Sequence, residues 1–270
     1  MAKVSIIMGV YNIKSFDDVK KTVDSIINQT YTDWEFIICD DGSTNQTFEL
    51  LKKLETLDSR IKIIGYKENK GLSTALNSCI EISSGTYIAR QDAEDISHPS
   101  RLEREVAFLD LHPEFDIVGC NANLFDHKNG RWGSYLTKEY PTAKDFLWTT
   151  QFLHPTVVFR KESLIKAGKY RVSKETRRCQ DYDLFMRMYS LGMKGYNIQE
   201  ILFDYYQVDG HQRKLTWTRR YEEMILRARG FKALGLMPAA FPYVVKPIVI
   251  KLIPQKLYRK LKKGEGGNMQ

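Results

Sequence analysis

Residues 88–99, IARQDAEDISHP, carry three carboxylates within four positions: Asp92, Glu94 and Asp95. Two acids one residue apart offer hard oxygen donors suited to Mg2+ or Mn2+, ions that are held by one or two carboxylates while a bound phosphate supplies further oxygens. A cation held there neutralises the charge growing on a phosphate leaving group. Two other polar clusters, Tyr11-Asn12 and Asp40-Asp41-Gly42-Ser43, also follow apolar runs. A carboxylate in such a place can accept the imide or amino hydrogens of a nucleobase. Transfer to a hydroxyl further needs a general base within hydrogen-bond reach of it. Taken singly, each cluster is also an ordinary feature: the acidic loop a solvated turn, the DDGS stretch a strand-to-helix turn capped by Asp.

Chemistry of this kind requires elements that bring the clusters together. VSIIMGVY (4–11) is a continuous apolar run, as in a strand buried on both faces of a parallel sheet. Ser15 caps a helix with Asp17 and Asp18 in its first turn, and the apolar spacing of Phe16, Val19, Val23, Ile26 and Ile27 continues it to about residue 29. WEFIICDD (34–41) reads as a second strand, 44–54 as a helix, 62–66 as a strand, 73–82 as a helix and TYIARQD (86–92) as a fourth strand. This alternation predicts an α/β fold, a mostly parallel sheet covered by helices on both faces. Ligands of such sheets bind beyond the carboxyl ends of the strands, which places all three polar clusters on one edge. Further on, the pattern predicts a helix over 101–111, a strand over 115–125, irregular chain over 126–150, a strand over 154–161, a helix over 162–167 ended by Gly168, a helix over 181–191 and a strand at FDYYQV (203–208).

Of the 270 residues, 43% are hydrophobic and 27% charged, the balance of an ordinary globular chain. No leader-like apolar segment is visible at the N-terminus. The four cysteines, Cys39, Cys79, Cys120 and Cys179, form no CxxC pair, which argues against a zinc knuckle or disulfide framework and suits a reducing cytoplasm. The net charge of +8 is concentrated at one end: Lys246, Lys251, Lys256, Arg259, Lys260, Lys262 and Lys263 stand together without an acid, and the rest of the chain is nearly neutral. A nucleic-acid-binding body would carry its own basic face, so no nucleic-acid partner is expected.

SIIMGVYN, DDGST, NKGLSTALNSCIEISSGTYIARQDAEDISHPSRLE, HPTVVFRK and CQDYDLFMRM, in this order and spacing, resemble the family 2 glycosyltransferases of GT-A (Rossmann-like) fold over roughly residues 3–210. The resemblance implies inverting transfer from a nucleotide-diphosphate sugar, UDP-sugar foremost. It implies that Val10, Tyr11 and Asn12 border the base, that Asp41 with Asp40 beside it contacts that base, and that Asn69, Gly71 and Asn77 belong to the segment closing over the nucleotide. Arg90 and Gln91 would stand beside the donor, and Asp92 and Glu94 match the DXD motif that holds Mn2+ or Mg2+, with Asp95 in support. Asp181 matches the catalytic base. Two positions depart from the pattern: Glu94 stands where the second Asp is usual, and Gln180 where a Glu precedes the base. The QxxRW motif of processive synthases is missing, which points to addition of one sugar per acceptor.

His154, in HPT, is a candidate for the acceptor pocket or a buried structural residue. His211 and Arg213 are candidates for donor phosphate or an exposed loop. Residues 1–215 are expected to form the catalytic domain and 216–270 a helical extension. The segment AAFPYVVKPIVIKLIPQKLYRKLKK, interrupted by Pro242, Pro247 and Pro254, falls short of the roughly 20 apolar residues of a bilayer span. Its mixture of apolar side chains and lysines suits an anionic membrane surface, or else a helix packed on the catalytic domain with a solvated basic end. The expected acceptor is therefore a glycan or lipid-linked sugar of surface polysaccharide synthesis, met at the inner face of the cell membrane. The departures at Glu94 and Gln180 leave a second expectation open, a non-catalytic regulatory or binding protein on the same scaffold.

Overall fold

The computed structural model describes residues 3–208 and 216–252. In chain order the elements are β1 (Val4–Val10), α1 (Phe16–Ile27), β2 (Trp34–Asp40), α2 (Thr47–Leu54), β3 (Ile61–Gly65), α3 (Leu72–Ile82), β4 (Tyr87–Arg90), β5 (Ile96–Ser97), α4 (Arg101–Leu111), β6 (Ile117–Asp126), β7 (Gly130–Tyr135), β8 (Val158–Arg160), α5 (Lys161–Lys166), α6 (Gln180–Ser190), β9 (Gly195–Tyr206), α7 (Trp217–Ala233) and α8 (Phe241–Leu252). Among the described residues the strands form one nine-stranded sheet in the order β3-β2-β1-β4-β8-β6-β9-β5, with β7 paired to β6. β1 runs parallel to both β2 and β4, and β2 to β3. β8 lies antiparallel between β4 and β6, and the long β6–β9 ladder is parallel again.

The α/β architecture expected from the alternating pattern is thus present, and the period-2 geometry of a strand explains its two cores. Val4, Ile6, Met8 and Val10 of β1 face one core with α1, α2 and α4. Ile7, from the same strand, faces the other with α3, α5, α6, α7 and α8. Ser15 caps α1 as expected, its Oγ accepting from the N–H of Asp18 at 3.2 Å.

Four segments differ from the sequence-based reading. Residues 130–135 are a strand with no buried position, so the run lacks the alternation that announces one. Residues 154–156 form a 3-10 turn, and β8 begins only at Val158; Pro155 has no N–H to give to a ladder. β9 begins at Gly195, well before the apolar stretch at its end. Its exposed Gln199 and Glu200 sit where the register against β6 shifts, a bulge that masks the pattern. α8 runs through Pro242 and Pro247. Pro242 is in the first turn, where no N–H is needed, and Pro247 is buried where α8 packs on α7. Among the described residues no helix is long and apolar enough to cross a membrane.

Candidate functional site

The parallel register of β1, β2 and β4 brings their carboxyl ends to one edge. There the loops are bonded to one another: the N–H of Asp41 donates to Val10 O at 2.8 Å, and that of Gln91 to Ile7 O at 3.1 Å. Asn12 has a left-handed φ of 47°, tolerated best by Asn, Asp and Gly. Its N–H donates to Ser43 Oγ at 2.8 Å and its Oδ1 accepts from the N–H of Thr44 at 2.8 Å. Gly42, at φ 69°, lies so close to the backbone of Glu68 and Asn69 that a Cβ there would stand 2.3 Å from Glu68 C.

Asp41 is buried, and its carboxylate organises residues 66–71. Oδ1 accepts from Tyr66 OH at 2.9 Å and from the N–H groups of Lys70 and Gly71 at 2.9 and 3.1 Å, while Oδ2 accepts from Asn69 Nδ2 at 2.9 Å. Asp40, also buried, accepts from the N–H and hydroxyl of Ser43. Both acids therefore hold the edge loops in shape. Gly71, with φ 89°, opens α3 and lines a hollow of about 250 Å³ with Lys70, Ser73, Lys174 and Arg177.

The acidic loop is held from below by guanidinium groups. Arg90 is fully buried, and its Nη2 donates to Asp92 Oδ1 at 2.6 Å. Arg101, equally buried, donates to Glu105 Oε2 at 3.1 Å, Gln91 Oε1 at 3.1 Å, Ser97 Oγ at 2.9 Å and Arg90 O at 2.9 Å. Gln91 closes the web by donating to the carbonyls of Asp92 and Asp95, so its side chain pins the loop from inside instead of facing solvent. Asp95 is buried; Oδ1 accepts from the N–H of Tyr206 at 2.7 Å, and Oδ2 has no partner. Burial, with the nearby charge of Asp92, pushes its pKa well above the usual carboxylate range. Asp92 and Glu94 are half-exposed and exposed. With Val10, Tyr11, Asn12, Asp95 and Tyr206 they line a cavity of about 370 Å³.

Asp181 lies in the first turn of α6. Burial raises its pKa; backbone N–H groups and the charge of Arg90 oppose the rise, and the charge of Asp92 adds to it. The predicted base thus shares an electrostatic neighbourhood with the acidic loop, although it does not line the cavity. Gln180 is buried with Oε1 unpartnered. His154 is buried with Nε2 2.8 Å from Tyr170 OH, and burial together with Arg90 depresses its pKa, which keeps the ring neutral. Asn77 bridges the backbone of Tyr170 through two hydrogen bonds of 2.8 and 3.0 Å, a fastening between α3 and the chain leading to α6. His211 and Arg213 lie outside the described residues. Sequence reasoning passed over Arg101, Asp18, Lys14 and Tyr206, of which the last three line the cavity. A signal for Arg101 existed: Arg101 and Glu105, four apart, share the helix face of Leu102, Val106 and Leu109, all buried.

The sequence profile of Glycosyl transferase family 2 matches residues 5–168. The chain belongs to this family. Among its relatives, a protein named putative glycosyltransferase EpsE, of Bacillus subtilis, is 35% identical over 253 residues, 93% of this chain and 90% of that one. The Escherichia coli UDP-Glc:alpha-D-GlcNAc-diphosphoundecaprenol beta-1,3-glucosyltransferase WfaP is 28% identical over 248 residues, 87% and 88% of the two chains. Of solved structures, S. aureus TarS 1-349 in complex with UDP-GlcNAc aligns with TM-score 0.70 at 16% identity, over 94% of this chain and 77% of that one. The mannosyltransferase PcManGT of Pyrobaculum calidifontis, in complex with GDP-Man and Mn2+, aligns with TM-score 0.60 at 15% identity, over 97% and 79%. The family 2 chain described here is a glycosyltransferase of GT-A fold. Among its described residues no three ligating side chains are gathered as a metal cage. The residues that would hold a divalent cation of the kind completed by phosphate oxygens are Asp92 and Glu94, which line one cavity with Asp95, whose Oδ2 is buried and unpartnered.

Proposed function

We propose that this family 2 enzyme transfers a single sugar, with inversion, from a UDP-sugar to a glycan or lipid-linked acceptor in surface polysaccharide synthesis. The observation that carries this reading is the convergence of the Tyr11–Asn12, Asp41 and Asp92–Asp95 loops on one sheet edge, with Asp181 close enough to feel both Arg90 and Asp92. The names of relatives support the donor and acceptor classes, since WfaP uses UDP-Glc and a diphosphoundecaprenol-linked sugar.

In this mechanism Val10, Tyr11 and Asn12 border the base, and the 66–71 loop, held in one shape by Asp41, lies beside it. Asp92 and Glu94 would hold Mn2+ or Mg2+, and that cation would supply charge neutralisation for the departing diphosphate. Asp181 takes the proton from the acceptor hydroxyl as that oxygen bonds to the anomeric carbon, and the bond from that carbon to the diphosphate breaks on the opposite face. Burial raises Asp181 toward the working pH, which suits a general base. The basic run from Lys246 to Lys263 holds the enzyme against the inner face of the cell membrane, where such acceptors reside.

The test is thermal unfolding with UDP, GDP, CDP and dTDP, with and without Mn2+, followed by a transfer assay. UDP with Mn2+ raises Tm, and Asp92→Asn abolishes the metal-dependent part. Asp181→Asn keeps the Tm shift and loses transfer by about 100-fold or more. Full transfer by Asp181→Asn removes it from the base role; no shift with any nucleotide refutes the donor reading.

A further inference from the structure

α8 is apolar nearly all round. Lys246 and Lys251 are its charged side chains in the sequence FPYVVKPIVIKL, and it buries Val244 and Pro247 on the α7 side. Phe241, Val249 and Leu252 are 57%, 50% and 66% exposed, and half-buried Val245 stands between the first two. Positions 241, 245, 249 and 252 follow the helical repeat and form one apolar stripe directed away from the protein. Exposed aromatic rings flank it. Trp148 packs edge-on against Tyr243 with centroids 5.0 Å apart, and Lys246 Nζ lies 4.5 Å above the Trp148 ring. Lys251 Nζ lies 6.0 Å from the Trp217 ring, and Tyr221 is exposed on the same helix as Trp217. An exposed apolar stripe with aromatic rings on the same helix pair marks an interaction surface.

We propose that the α7–α8 face is a membrane-docking surface, on which α8 lies in the plane of an anionic bilayer. The stripe enters the acyl boundary, Trp148, Trp217 and Tyr221 sit at headgroup level, and the lysines meet lipid phosphates. The inference rests on the reading that the acceptor is membrane-borne, and deepens it by assigning the contact to a folded helix face in addition to the charged tail. Charge selects the occupant. The chain continues past Leu252 with Lys256, Arg259, Lys260, Lys262 and Lys263 and meets no acid before Glu265. A second copy on the stripe would set two such basic runs against each other, whereas anionic lipid attracts both runs to one plane. Tyr and Trp are the side chains that settle at a membrane interface, apolar body inward and polar tip in water.

The face is also coupled to the catalytic side. Arg227 of α7 donates to Leu147 O at 3.0 Å, and Tyr182, next to Asp181, donates to Phe146 O. The chain from Phe146 to Trp148 therefore ties the docking face to the helix that carries Asp181, so docking fixes the height of Asp181 above the bilayer.

The experiment is co-sedimentation of the full chain with phosphatidylcholine vesicles, with and without phosphatidylglycerol, together with tryptophan emission. The protein pellets with the phosphatidylglycerol vesicles and its emission shifts to the blue. Val249→Asn/Leu252→Asn, with every lysine retained, weakens that binding by at least about ten-fold, the amount that burial of one Leu-sized side chain contributes. The same variant keeps its UDP-dependent Tm shift and its transfer to a soluble acceptor sugar. Three results overturn the proposal: unchanged vesicle binding by the variant, which leaves the tail as the sole contact; no binding by the unmodified protein; or a dimer in solution that the variant dissolves, which makes the occupant a second copy. Loss of UDP binding with vesicle binding intact would instead remove the functional reading and leave the docking face standing.

Discussion

Replacing Arg101 by Met tests whether the buried web under the acidic loop is what holds the donor site. Arg101 has no exposed surface and bonds to Glu105, Gln91, Ser97 and the Arg90 carbonyl. Removing one partner of a buried ion pair costs about 3–5 kcal/mol. Here the lower end applies to the pair. Burial already pushes Glu105 up to about 7, and Arg101 is what pulls it down; without the guanidinium Glu105 takes up a proton instead of remaining a buried charge. Arg90 O loses its donor, about 1 kcal/mol more, whereas Gln91 Oε1 keeps Ser97 Oγ at 2.8 Å. The total is about 4 kcal/mol, and for a chain of this size it lowers Tm by about 8–16 °C. Arg101→Met/Glu105→Leu recovers most of that loss, because a well-packed apolar pair replaces a buried ion pair at little cost. It does not restore the bonds to Gln91 and Arg90, so donor affinity stays low in the stable double variant. Calorimetry and UDP titration of wild type, both single variants and the double variant measure all of this. A double variant that binds UDP with Mn2+ as wild type does, or an Arg101→Met variant within 1 kcal/mol of wild type, refutes the argument.

Three further outcomes are expected. Asp41→Asn leaves donors of the 66–71 loop unsatisfied, destabilises by about 1–3 kcal/mol and speeds amide exchange at Lys70 and Gly71, which deuterium exchange reads directly. Burial pushes Glu35 up, but bonds from Ser84, Lys62 and Ser5 outweigh it and hold its pKa at about 2 against an ordinary 4.5. The folded state therefore releases this proton more readily than the unfolded chain; stability from Glu35 is present above pH 4.5 and lost as pH falls toward 2, and Glu35→Gln flattens that limb in acid unfolding. Gly42→Ala forces a left-handed residue against Glu68 at 2.3 Å; a Tm drop accompanied by weaker UDP binding is expected, and an unchanged affinity would separate this turn from the site.

The parts of the fold legible in the sequence are those whose side chains are buried on both faces or along one helix stripe. β1, β2 and α4 sit where the apolar runs place them, because burial demands those runs. β7 has no buried position, and β9 carries a bulge at its centre, so neither satisfies a period. The meeting of the three polar loops was legible because it follows from parallel topology alone. Which of their side chains serve the protein was not. Asp41, Gln91 and Asn77 read as polar residues near a ligand, and only tertiary contacts reveal that they also bond to residues 66–71, to the acidic loop and to Tyr170. Arg101 was passed over for the opposite reason: an arginine near a helix start reads as solvated unless its place on the apolar face of Leu102, Val106 and Leu109 is weighed.

The bond from the Tyr206 N–H to Asp95 spans 111 residues. It has a consequence for the order in which the enzyme is made. A nascent chain that has left the ribosome as far as residue 168, the end of the stretch that matches the family profile, already contains β1 to β4 and the complete acidic loop. It lacks β9, so Asp95 Oδ1 has not yet received the Tyr206 N–H, although Arg90, Gln91 and Arg101 are already there to hold the loop from below. Synthesis must run past Tyr206 before the loop is latched. The acidic loop is thus shaped in two stages, first by Arg90, Gln91 and Arg101 and then by Tyr206.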